Sequence, residues 1–218
     1  HTVLSPGKGY TGGKFFFKNP DYDLLSIIPD EEIYHYSRNP LTEIPTTLLE
    51  AMRQFIISVA IVVLKQKREP FLSMMVHIDG RRDTNATFEH WISNNLQDYL
   101  DVLRAPDGDP GKEPFINSLR QSYESITRYM TDRPEFNEVL RLIPQAILRT
   151  KTHLVQGDTN SVIDWGSEKG HILIGADMLN RGFTIEKLSM SYMPRTSAGR
   201  STADTIEQRC RFFGYKMP

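Results

Sequence analysis

Apolar residues recur at helical spacing through Leu48, Leu49, Met52, Phe55, Ile56, Val59 and Val63. They predict a helix that Thr46 or Thr47 would cap, running to about Lys67 before Pro70 stops it. A run without polar interruption, Leu72-Ser73-Met74-Met75-Val76-His77-Ile78, reads as a buried strand entering a Gly80-Arg81-Arg82 loop. Asn85 is the expected cap of the next helix, 86–104, which carries Phe88, Trp91, Ile92, Leu96, Tyr99 and Leu103 on one side. Residues 106–111 are a loop by composition, and helices are expected over 113–130 and 134–149, split at Asp132-Arg133-Pro134. Strands follow at 152–156, 161–165, 171–175 and 188–193, then a last helix at 202–213. Such alternation predicts an α/β fold, a parallel sheet flanked by helices. Residues 105–150 would be a helical insertion in it, and 1–46 an irregular Gly- and Pro-rich arm.

Charge changes this picture more than overall composition does. Lys and Arg total 26 against 27 Asp and Glu, which excludes a binder relying on bulk positive charge. The balance is local: residues 181–218 are net +4 and the first 180 net −5. The apolar run 55–64 is half a membrane span and is closed by Arg53 and Lys65-Gln66-Lys67-Arg68, so no membrane partner is expected. The single Cys210 excludes a disulfide framework or multi-cysteine zinc site and fits a reducing, cytoplasmic setting. The absence of an initiator Met suggests a piece of a longer protein.

Several local patterns invite chemistry. Gly7 to Lys14 imitates a phosphate loop, but Lys8 stands where glycine is needed and Phe15 replaces the metal-binding hydroxyl, so a linker is expected. His77 with Arg81 and Arg82 reads either as a contact to a DNA backbone or as a half-buried histidine beside a solvated arginine pair. His35, His90, His153 and His171 lack the spacing of ligands, and no metal site is expected. Asp164 to Lys169 suggests a nuclease only superficially; adjacent Glu168 and Lys169 point to opposite faces of a strand, and a polar turn is expected. At the basic end, a strand at 171–175 leads to Arg181-Gly182-Phe-Thr184, and a second ends at Tyr192, before Pro194-Arg195. A helix from Thr202 would then place Gln208 and Arg211 one turn apart, with Gly214-Tyr-Lys216 following: fixed cations suited to a phosphoryl group.

These segments resemble motifs V and VI of superfamily-two helicases, and more narrowly the Z-one-domain family. The residues carrying the resemblance are Leu179-Asn-Arg181-Gly182-Phe-Thr184-Ile-Glu186, Ser191-Tyr192, and Gln208-Arg-Cys-Arg211-Phe-Phe213-Gly214-Tyr215-Lys216. Pro6 to Gly13 resembles that family's interlobe segment, and Met74 to His77 its first strand in this lobe. The resemblance implies a RecA-like helicase C-terminal lobe over 47–218, with 1–46 as the interlobe arm. It also implies an ATP-driven DNA translocase or remodeller of restriction or phage-defence systems, often labelled an endonuclease. ATP and Mg²⁺ would bind the full-length protein, between this lobe and a first lobe carrying the phosphate loop and metal-binding carboxylates. Arg211 matches the motif VI arginine, which stabilises charge on the transferring phosphoryl group, and Gln208 and Lys216 support it. Lys216, standing for a second arginine, supplies a point charge rather than a fork. Arg181, Gly182 and Thr184 would shape the nucleotide edge, although many helicases carry Asp at the last position. His77, Arg81, Arg82 and Arg195 would face DNA, whereas Ala176 stands where a phosphate-contacting threonine is common. The chain alone, without a first lobe, is expected to be inactive and to retain neither ATP nor Mg²⁺. DNA and other defence-system subunits are the expected partners. The competing expectation is a non-catalytic DNA-binding or partner-docking module.

Overall fold

The strands β1 (Leu72–His77), β2 (Thr150–Val155), β3 (Gly170–Gly175) and β4 (Leu188–Tyr192) form one all-parallel sheet in the order β2-β3-β1-β4. This computed structural model describes residues 24–35, 37–65, 71–78, 81–155, 163–175 and 185–194. All named elements lie in one unit, Asp30–Thr196; a second unit, residues 1–29 and 197–218, contributes only 24–29 to the described residues. Every β3 residue is buried, and all of β1 after Leu72. That pattern explains the uninterrupted apolar runs, since parallel strands are covered on both faces.

The helices are α1 (Thr46–Leu64), α2 (Arg82–Arg104), α3 (Lys112–Thr127) and α4 (Phe136–Leu148). Thr152 of β2 donates to Glu89 of α2 at 3.0 Å, which identifies the face that α2 covers; by register Ile172 and Met74 share it. Met75, Leu173, Val155 and Ile163 form a cluster on the opposite face, joined by Trp165, Ile185, Leu188 and Met193. Within α1, Phe55, Ile56 and Ile57 are consecutive and all buried. Three consecutive positions span most of a helical turn, so α1 is covered on more than one side. It packs against the sheet, against α3 and especially against α4. By length and composition α1 could cross a membrane, but here it is a core helix of the unit. The segment read as an insertion therefore contributes α3 and α4 to the core layer around α1. Lys65 at the end of α1 pairs with Asp132 of the α3–α4 turn at 2.9 Å, and the Tyr123 hydroxyl donates to the Pro134 carbonyl.

Three local expectations are corrected. Neither Thr46 nor Thr47 caps α1: Pro45 precedes it, and the Glu32 carboxylate accepts the Thr46 and Thr47 amides at 2.9 and 3.0 Å. Asn85 lies inside α2, because the helix begins at Arg82; the Asp83 carboxylate accepts the Thr84 amide at 2.9 Å in its first turn. Residues 163–165 are not strand, since Asp164 draws the chain into a turn by accepting the Gly166 amide at 3.1 Å; 161–162 lie outside the described residues.

Gly170 is required by close packing between β2 and β3. A Cβ there would lie 2.3 Å from Thr150 Oγ1 and 3.1 Å from Thr150 Cβ, and Thr150 is held by its own bond to Ala146 O. Gly170→Ala is expected to cost about 1–3 kcal/mol through forced strand displacement. Thr150→Gly in the same chain should recover part of the loss. Equal urea midpoints for the parent and Gly170→Ala would refute this contact.

Candidate functional site

In an open parallel sheet, ligands bind beyond the carboxyl ends of the strands, where successive connections leave in opposite directions. Here β1 connects to β2, on the far side of β3, whereas β3 connects to β4, beyond β1. The β1–β3 pair is therefore the switch point, flanked by the ends His77 and Gly175, which are register partners. Ile78 N–H donates to Gly175 O at 3.2 Å and closes the pair.

His77, at the end of β1, is only 1% exposed. The exposed groups beside it are Arg81 and Arg82, at the start of α2. Arg81 pairs with Asp83 at 3.3 Å, and this arginine, with the Thr84 amide, holds the exposed Asp83 carboxyl below its ordinary range. Cations at a helix N-terminus oppose the helix dipole, at about 0.3–1 kcal/mol each. With Asp83 beside them, the two arginines give this helix start a net charge of +1. Behind them, Thr84 and Asn85 are buried.

Sequence patterns did not reveal how the arm closes this edge. The Tyr192 hydroxyl lies 2.8 Å from Thr47 Oγ1, which donates to Glu32, so Tyr192 is the donor to Thr47. Burial pushes the Tyr192 phenol up to about 12, so it remains a donor at neutral pH. Burial raises the Glu32 carboxyl, but the hydrogen bonds from Thr47 and Thr46 outweigh it and leave Glu32 below its ordinary value. Tyr34 spans the same edge: its amide donates to Pro194 O at 2.7 Å and its hydroxyl lies 2.8 Å from Thr84 Oγ1. Nothing in local sequence marks Glu32 or Tyr34, because their partners are distant in the chain.

A second polar cluster lies on the sheet face away from α2. His171 Nε2–H donates to Trp165 O at 3.1 Å, leaving Nδ1 to accept His153 Nε2–H at 3.0 Å. Two of the four histidines that looked scattered in sequence thus meet, on strands paired in parallel. Both are held neutral: burial, then the charges of His171 and Lys151, push His153 down to about 4, and burial lowers His171. A folded-state value below the unfolded one means that the unfolded chain takes up the proton first. Stability contributed by His153 is therefore complete above about pH 6.5 and is lost as pH falls toward 4. With His153 only half-buried, the loss is about 1–2 kcal/mol. Urea midpoints at about pH 7.5 and 5 should differ less in His153→Gln than in the parent. Identical differences would contradict the pairing.

Among the described residues, no three His, Cys, Asp or Glu side chains are grouped to hold a metal ion. Arg181, Gly182, Thr184, Arg195, Gln208, Arg211 and Lys216 lie outside the described residues, as do Gly7 to Lys14, Ala176 and the expected helix 202–213. In sequence, β3 and β4 precede two of these segments, 181–184 and 195; the described ends of β3 and β4 lie beside the end of β1.

No curated protein and no solved structure matches the chain. The family model of the Z1 domain, the Z-one domain named above, matches residues 47–218, from the first turn of α1 to the C-terminal residue. The chain belongs to the Z1-domain family.

Proposed function

We propose that this chain is the second RecA-like lobe of a helicase-like, ATP-driven DNA translocase or remodeller in a restriction or phage-defence system. The observation that carries this reading is the shared edge. The ends of β1, β3 and β4 are adjacent, and each is followed in sequence by one group of candidate residues: Arg81 and Arg82, Arg181 to Thr184, or Arg195. Arg211 would approach the phosphoryl group in transfer as an arginine finger, with Gln208 and Lys216 beside it, and stabilise the charge that develops there. Mg²⁺ and the phosphate loop belong, in this reading, to a first lobe outside these 218 residues. Arg81, Arg82 and Arg195 would hold the DNA backbone.

The test is ATP hydrolysis by the full-length protein with and without DNA. Stimulation by DNA is expected, together with negligible turnover by the 218-residue chain alone. Robust turnover by this chain alone would overturn the division of labour between lobes. The alternative, a non-catalytic DNA-binding or partner-docking module, would bind DNA with no ATP turnover in the full-length protein.

A further inference from the structure

We propose that Tyr34 and Glu32, in the strap 30–39, are positioning residues that set the register between the start of α2 and the exit of β4, and so align Arg81 and Arg82 for a DNA backbone. This inference rests on the proposed function, because it assigns those arginines to DNA. Its geometric basis is independent of that reading. Tyr34 is buried at 6% exposure, and its ring meets Phe88 of α2 edge-on, with centroids 6.3 Å apart. Its amide holds Pro194 O, just beyond β4, while its hydroxyl holds Thr84, two residues after Arg82. One residue of the arm thus bonds both elements from which candidate cations emerge.

Glu32 makes the second tie. Its carboxylate takes the amides of Thr46 and Thr47 at the start of α1, and through the Thr47 hydroxyl it reaches Tyr192 at the end of β4. The strap is itself folded into a fixed shape. Asn39 N–H donates to His35 O at 2.7 Å, His35 N–H donates to Asn39 O at 2.8 Å, and the Asn39 side chain donates to Glu31 O and Ile33 O. A displacement of Glu32 and Tyr34 therefore acts on α1, α2 and β4 together. Surface anchoring alone would not require a buried hydroxyl pair at the base of the arginine-bearing turn. Loss of the Tyr34 hydroxyl leaves the buried Thr84 hydroxyl to find another partner and removes the strap's tie to the first turn of α2.

The experiment measures binding of a fluorescein-labelled oligo-dT strand to the chain by anisotropy across a salt series, with thermal unfolding in parallel. Tyr34→Phe and Thr84→Ala are each expected to weaken binding about three- to tenfold and to make the salt dependence shallower, because fewer phosphates are neutralised. The double variant should be no weaker than either single one, and Thr84→Ser, which keeps the hydroxyl, should bind like the parent. A lowered unfolding midpoint with parent affinity and parent salt slope would overturn the positioning role while leaving the proposed function standing. Failure of the parent chain to bind the strand at low salt would overturn the DNA assignment, and the strap's role with it.

Discussion

Replacing Arg211 with alanine in the full-length protein is expected to lower ATP turnover about a thousandfold or more, while its unfolding midpoint stays within the range of a surface substitution. The size follows from where the charge acts. A guanidinium directed at the transferring phosphoryl group stabilises charge that exists only in the transition state, in a site from which water is largely excluded. Lys216→Ala should cost less, because an ammonium offers no paired hydrogen bonds to the oxygens. Gln208→Ala should cost less again, since an amide brings no net charge. Nucleotide affinity should change far less than turnover in Arg211→Ala. A variant with parent turnover would remove the arginine-finger assignment, and one with parent turnover per bound nucleotide but lost affinity would recast Arg211 as a binding residue.

Excising residues 106–148, which removes α3 and α4, is expected to abolish cooperative unfolding altogether. Those helices carry none of the sequence motifs, yet they are what allows α1 to be apolar around so much of its circumference. Without them, part of the set Met52, Phe55, Ile56, Ile57, Val59 and Ala60 returns to water. At about 1.5–3 kcal/mol for each large side chain, uncovering three or four of them consumes much of the roughly 5–15 kcal/mol that holds a domain folded. Buried Tyr123 and Val139 would be deleted with the helices. A sharp urea transition in the excised chain, with parent-like helical signal per residue, would show that α3 and α4 are dispensable after all.

Sequence was most informative where a single element decides its own environment. The apolar runs at 72–78 and 171–175 predicted buried strands, and β1 and β3 occupy 72–77 and 170–175. Helix ends were likewise legible: the expected helices 86–104 and 134–149 end within one residue of α2 and α4, at Arg104 and Leu148. What failed depended on partners far along the chain. Thr46 and Thr47 looked like caps because their side chains suit that role, but the cap position lies before them, at Pro45, and the carboxylate of Glu32 takes their own amides. Asn85 looked like a cap because helix propensity rises after it; Asp83 opened the helix earlier and left Asn85 buried. His153 and His171 looked unrelated because their proximity is created by β2–β3 register, which no local pattern encodes. Of the residues proposed for DNA, Arg81 and Arg82 stand exposed at the start of α2, whereas His77 is buried at the end of a strand covered on both faces.

The central claim, that this chain supplies half of an ATP-driven DNA machine, is tested most directly by DNA-dependent ATP turnover in the full-length protein. Single- or double-stranded DNA should raise the rate, Arg211→Ala should abolish the stimulated and unstimulated rates alike, and the 218-residue chain alone should turn over nothing above background. Hydrolysis by the full-length protein that is indifferent to both DNA and Arg211→Ala would contradict it.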